Sequence, residues 1–210
     1  MKRLHQVLLL IVAVVFVWSF IGCHDRFTWF LEVAPVLLAL PVLAYTYKRF
    51  PLTDLLYVLI AIHAVILMVG GHYTYARVPL FDWIRDAFEL SRNHYDKVGH
   101  FAQGFVPAIV TREVLLRVTP LRPGKMLFFL VVSVCLAISA TYELVEWIVA
   151  EMAGSGSEDF LGTQGDVWDT QKDMAYCLVG AILAQLSLNR VHDRQLRDLP
   201  GASSRNDAGA

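Results

Sequence analysis

Six stretches of this chain read as apolar helices near the length that crosses a lipid bilayer: Val7 to Ile21, Phe30 to Tyr47, Leu55 to Gly70, Val98 to Val118, Met126 to Ala150 and Met174 to Leu188. An α-helix rises 1.5 Å per residue, so about 20 residues cover the roughly 30 Å of a hydrocarbon core. Inside lipid the backbone has no water to bond, and a helix satisfies its own N–H and C=O groups within one segment. Across 210 residues, 56% are apolar and 18% charged, with a mean hydropathy of +0.50. That exceeds the roughly 45–50% apolar content of a soluble domain. The expected fold is therefore all-α, a polytopic transmembrane bundle of six spans forming one domain over residues 1–189, in contact with membrane lipids.

Orientation follows from where Lys and Arg fall in short loops, because basic loops resist translocation. With the amino terminus inside, cytoplasmic segments hold twelve of the 18 basic residues, among them Lys2, Arg3, Lys48, Arg49, Arg112, Arg117, Arg122, Lys125 and Arg190. The opposite side keeps Arg26, Arg77, Arg85, Arg92, Lys97 and Lys172. Acids outnumber them there, including Asp25, Glu32, Asp82, Asp96, Glu158, Asp159, Asp166, Asp169 and Asp173. Both termini are expected in the cytoplasm. A signal peptide is the rival reading of the first run, since Met1-Lys2-Arg3 precedes it and Gly22-Cys23 faintly suggests a lipoprotein site. Ile21, Phe20 and Trp18 stand where cleavage wants small residues, which favours a span.

Net charge is −1, without the basic excess that a nucleic-acid partner requires. Cys23, Cys135 and Cys177 are scattered and lack C-x-x-C spacing, so neither a disulfide framework nor a thiolate metal site is expected. Pro35 and Pro41 fall within the second span, where each frees a carbonyl and predicts a kink. Residues 79–91 set Leu80, Trp83, Ile84, Ala87 and Phe88 against Asp82, Arg85, Asp86 and Glu89, the pattern of a helix lying flat at the outer interface. Residues 190–210 are polar and without apolar periodicity, and read as a disordered cytoplasmic tail.

The polar residues that remain gather at the outer ends of the last three spans. Asp96, His100, Gln103 and Pro107 recur at steps of four, three and four and share a helix face. Ser139, Glu143 and Glu146 follow helical spacing on the next span. The last carries Asp169, Asp173, Cys177, Gly180 and Ala184, a stripe that starts acidic and becomes small enough for a neighbouring helix to approach closely. Carboxylates in hydrocarbon cost about 2.5–3.5 kcal/mol at mid-bilayer, so these acids are expected to have partners.

Such a set admits several chemistries. Asp96, His100, Glu143 and Asp173 can ligate a divalent cation, the one cofactor the residues suggest. Lys97, Gln103, Glu146, Gln164, Asp166, Asp169 and Asp173 can line a pocket for a cation or a polar envelope-lipid head group. His100, held by Asp96 and Glu143, can run the acid/base chemistry of a membrane hydrolase or transferase. Against these stand a ligand-free scaffold, in which Arg92, Lys97 and Lys172 neutralise the acids and Asp169 and Asp173 cap the last helix, and a transporter with a cation or proton relay. Acids clustered near one surface, without paired broken helices, weigh against the transporter. His63 reads as a bonded core histidine; His72, Tyr73, Tyr75, Trp83, Trp147 and Trp168 read as interfacial aromatics.

The segments Y-D-K-V-G-H-F-A-Q-G (Tyr95 to Gly104), Y-E-L-V-E-W (Tyr142 to Trp147) and G-T-Q-G-D-V-W-D-T-Q-K-D-M (Gly162 to Met174) resemble the uncharacterised bacterial inner-membrane family typified by YjdF, over about residues 5 to 195. More distantly the chain resembles VanZ-like proteins, linked to glycopeptide (teicoplanin) resistance and the cell envelope. Asp96, Lys97, His100 and Phe101 match that family's first element, Glu143 its second, and Asp173 and Gly180 its third. Glu146 stands where VanZ-like proteins carry Gln, and Cys177 where Asn is usual. The resemblance implies a membrane location and a shared polar site.

Overall fold

Each apolar run folds as a helix that begins before it, and the last helix also runs well past it. The computed structural model of the chain describes residues 1–153 and 164–199. Seven helices form among them and no strand: α1 Arg3–Phe20, α2 Arg26–Thr46, α3 Asp54–Tyr73, α4 Pro79–Ala87, α5 Tyr95–Val118, α6 Lys125–Ala153 and α7 Asp169–Arg197. α2 begins where Asp25 accepts a 2.7 Å bond from the Thr28 N–H, satisfying a donor that the first turn leaves without an intrahelical acceptor. That bond holds the Asp25 carboxyl below its usual value. α2 continues as one helix through Pro35 and Pro41.

Five helices, α1, α2, α3, α6 and α7, are long and apolar enough to cross a membrane. α5 is long enough at 24 residues but carries Asp96, Lys97, Arg112, Glu113 and Arg117. It is nevertheless deeply enclosed, with α3, α6 and α7 against it. α3 joins two halves of the bundle: α1 and α2 pack on one side of it, α5 on the other. Val12, Trp29, Val33, Ala64 and Met68 form the core of the first half. Leu56, Ile109, Val131, Cys135, Cys177 and Ala181 form that of the second.

The distribution of polarity is inverted relative to a water-soluble fold. Leu38 and Leu186 are 71% and 69% exposed, whereas Arg92, Arg112, Glu113, Asp173 and His192 are buried. The tightest helix contact is α5 on α7. A Cβ on Gly104 would overlap the Cys177 carbonyl, and one on Gly180 would overlap the Phe101 carbonyl, so the two backbones touch as small residues allow.

Two differences from the sequence reading have clear causes. The interfacial segment 79–91 is helical only to Ala87: Glu89 takes φ +53° and the Leu90 N–H turns back to the Arg85 carbonyl at 2.9 Å, closing the helix with a left-handed residue. The expected tail also begins too early, because α7 continues to Arg197. Its polar side chains have partners: Asp193 meets Arg112 at 2.8 Å, His192 meets Glu113 at 3.0 Å, and Gln195 accepts the Leu55 N–H at 2.8 Å. The remainder of that tail, residues 200–210, and the segment holding Glu158, Asp159 and Gly162 lie outside the described residues.

Gly104→Ala should lower stability by about 1–3 kcal/mol, the usual cost of overpacking, because the obstacle is backbone. Unfolding in mixed detergent micelles measures this; a variant as stable as wild type would contradict the close crossing.

Candidate functional site

The loop before α5 fixes how that helix starts. Asn93 donates through its amide to Asp82 Oδ1 at 3.0 Å and the Val78 carbonyl at 3.1 Å, while its side-chain oxygen accepts the Tyr95 N–H at 3.1 Å. α4 and α5 are thereby tied together. Gln164 reaches the same residue from the far loop, accepting the Asn93 N–H at 3.1 Å and donating to its carbonyl at 2.9 Å. These bonds bring the first turns of α5 and α7 side by side.

Between those turns lies a buried ion network. Lys97 Nζ is shared by Asp169 at 2.6 Å, Asp173 at 2.8 Å and Asp96 at 3.3 Å. Arg92 binds Asp96 and, at 2.5 Å, Asp169, with Asp166 at 3.6 Å. Arg92, Asp96, Lys97, Asp169 and Asp173 are all buried. Two cations thus hold three buried carboxylates, with Asp166 at the edge, and breaking such a buried network by removing one partner is costly.

Next to the network the balance changes. His100 stands between two carboxylates, Nδ1 3.7 Å from Glu143 and Nε2 3.7 Å from Asp173, and Nδ1 lies 3.3 Å from Gln103 Oε1. Glu143 Oε1 is buried with no hydrogen-bond partner. His100, Glu143 and Asp173 each offer a ligand atom, all within 4.8 Å of one another, as do Asp96, Asp169 and Asp173. Lys97 and Arg92 bind every acid of the second set but only Asp173 of the first, so the first is the better place for a cation.

A cavity of about 180 Å³ opens from this point, lined by Glu32, His63, Tyr75, Asp96, His100, Gln103, Tyr142, Glu146, Asp169 and Asp173, with Pro35 and Pro107 in its walls. A proline leaves the carbonyl four residues earlier without its helical donor, which adds acceptor character near the cavity. Tyr142 donates to Glu32 at 3.4 Å. Tyr75 is held in a slot made by two glycines, since a Cβ on Gly70 or Gly99 would run into its ring. Burial raises the Tyr75 phenol well above its usual value, so it enters the cavity as a neutral hydroxyl.

Asp96, Lys97, His100, Gln103, Glu143, Glu146, Asp169 and Asp173 converge at or beside this cavity. Gln164 and Asp166 do not line it. Gln164 pins the loop, and Asp166 is bound at 2.5 Å by Lys172, which with the Trp168 N–H holds its carboxyl below the usual value. Sequence reasoning left out Glu32, His63, Tyr75 and Tyr142. His63 Nε2 is buried without a partner. The signals available were an acid and a histidine inside apolar runs. Trp83, Trp147 and Trp168 are exposed away from the cavity, and His72 stacks on Trp18 at 4.5 Å.

A family model described as "Predicted membrane protein (DUF2238)" matches residues 4–194. The chain is 53% identical over 188 residues to "Inner membrane protein YjdF" of Escherichia coli (strain K12), covering 90% of each chain. No solved structure matches.

Lys97→Met should destabilise the protein by about 3–5 kcal/mol, leaving buried carboxylates without their shared cation. Adding Asp173→Asn should recover part of that loss in the same unfolding measurement. A Lys97→Met protein of wild-type stability would show that the network does not hold α5 to α7.

Proposed function

The chain belongs to the DUF2238 family of membrane proteins and is a multi-pass inner-membrane protein; we propose that its acidic pocket faces outward and binds a cation, a divalent metal ion or the cationic head group of an envelope lipid. In this reading α5 is a sixth span, both termini are cytoplasmic, and α4 lies in the outer interface with Leu80, Trp83 and Phe88, all exposed, turned to lipid. The charge asymmetry of the loops supports that threading.

The observation that carries the proposal is an excess of acid around an enclosed space. Glu32, Asp96, Glu146, Asp169 and Asp173 line the cavity and Glu143 adjoins it, while the adjacent cations, Arg92 and Lys97, are committed to the network at its edge. Carboxylates taken out of water need a counter-charge or a proton. His100, Glu143 and Asp173 supply a nitrogen and carboxylate oxygens, a donor set suited to hard or borderline divalent ions.

A second reading has its own support. An imidazole with a carboxylate on each side, as His100 has, is the arrangement of a positioned general base. In that reading His100 would take a proton from a nucleophile while Glu143 and Asp173, one on each side of the ring, fix its charge and orientation, in a hydrolase or transferase acting at the outer leaflet; Asp96 is bound to Arg92 and Lys97 instead.

Thermal unfolding of the purified protein across divalent cations and cationic lipids tests the binding proposal. A selective rise in midpoint is expected for wild type, with affinity weakened by roughly tenfold or more in Glu143→Gln and His100→Ala, at least the loss seen on disturbing a ligand's support. If no cation or lipid stabilises wild type selectively, the network is a scaffold and the proposal fails.

A further inference from the structure

A second polar centre lies at the other end of α5, about 24 Å along the helix from Asp96 to Arg112 at 1.5 Å per residue. There two arginines, Arg112 and Arg117, meet two acids, Glu113 and Asp193. Glu113 is fully buried, and accepts from Thr53 Oγ1 at 2.8 Å, Arg117 at 2.8 Å and His192 Nε2 at 3.0 Å. Arg112 donates to His192 Nδ1 at 2.7 Å, so the histidine must present its Nε2 proton to Glu113, as a neutral ring does. Asp193 holds Arg112 from another side at 2.8 Å. These two contacts occupy two of the five N–H donors of a guanidinium and lock the orientation of the side chain.

That locked Arg112 lines a cavity of about 350 Å³ together with Lys125, Gln185, Asn189, Gly124, Pro123, Leu127 and Phe128, and none of these eight residues carries a carboxylate. Asn189 brings a side-chain amide to the cavity, whereas the Gln185 amide donates to the Phe128 and Ala181 carbonyls at 3.4 and 3.5 Å. The cavity also receives the start of α6. Gly124 accepts the Phe128 N–H at 3.0 Å, so the amides of Lys125, Met126 and Leu127 are the ones an α-helix leaves without an intrahelical acceptor, at its positive end. Phe129 and Leu186, next in sequence to the lining residues Phe128 and Gln185, are strongly exposed, an apolar surface suited to hydrocarbon.

From this combination of a fixed guanidinium, an ammonium, the Asn189 amide and a helix start around one cavity lined by no carboxylate, we infer that the site binds a phosphate-bearing anion. The exposed apolar flank suits a phospholipid whose phosphate enters between α5, α6 and α7 while its chains lie along Phe129 and Leu186; a free phosphate would use the same donors. The site is separate from the outer pocket. Only its assignment to the cytoplasmic leaflet rests on the threading proposed above.

The test is thermal unfolding of the full chain in lipid-free detergent, with two probes. One is inorganic phosphate against chloride at equal ionic strength. The other is phosphatidylglycerol in mixed micelles against diacylglycerol, which lacks the phosphate. Stabilisation by either phosphate probe is expected, weakened about fivefold by Lys125→Gln, the contribution of one basic side chain near an anionic head group. Lys125 is exposed, so the variant retains the buried network, and Arg122→Gln, outside the cavity lining, should match wild type. A response to phosphatidylglycerol alone identifies the lipid, and one to inorganic phosphate as well identifies a free-anion site. The inference is overturned if neither phosphate probe stabilises the protein, if diacylglycerol does so equally, or if Lys125→Gln binds like wild type. Because both probes act in detergent, this outcome is independent of threading and of cation binding at the outer pocket.

Discussion

The contact of α5 with α7 backbone to backbone, set by Gly104 and Gly180, is the constraint from which the polar architecture follows. Close approach lets Lys97 on α5 reach Asp169 and Asp173 on α7 at one end. It also lets Arg112 and Glu113 reach His192 and Asp193 at the other. A bulkier crossing would separate both sets, leaving charges in a low-dielectric interior without counter-charges, where each would cost several kcal/mol. The small middle of the interface therefore supports the ion pairs at its ends, and the ion pairs fix the register of the small middle.

With hydrocarbon as the outer solvent, burying apolar surface between helices contributes little, and packing with internal polar bonding decides the arrangement. That explains why α5, a long helix with five charged side chains, is deeply enclosed. α3 screens it on one face, and α6 and α7 cover the rest, while the leucines and phenylalanines that a soluble protein would hide face outward. The two ends then diverge in sign. The α2, α5, α6 and α7 end collects carboxylates beyond what Arg92 and Lys97 neutralise, and the opposite end collects Arg112 and Lys125 around a space lined by no acid.

Much of this was legible in the sequence because spacing within one helix reports a shared face. Asp96, His100 and Gln103 fall on one stripe, Asp169, Asp173, Cys177 and Gly180 on another, and both stripes meet. Facts that depend on two helices at once were not legible. Glu113 falls inside the fourth apolar run and His192 in the stretch that read as a disordered tail, and only the packing of α7 on α5 pairs them. Tyr75 read as an interfacial aromatic, since its slot is made jointly by Gly70 and Gly99, each unremarkable in its own helix. Gln164 and Asp166 stood close in sequence to Asp169, but proximity along a loop does not decide which side chains line a cavity. The length of α7 was underestimated for the same reason: His192, Asp193 and Gln195 look solvated until their partners on α5 and α3 are known.

The account stands on α5 crossing the membrane as a polar helix enclosed by apolar ones, carrying its two centres to opposite surfaces. Compartment reporters inserted after Leu90 and after Arg122, on either side of this one helix, test that directly. Opposite compartments are expected, with the Leu90 insertion outside and the Arg122 insertion in the cytoplasm. The same compartment for both would mean that α5 enters and leaves by one face, and the separation of the acidic and basic sites between two surfaces would be wrong.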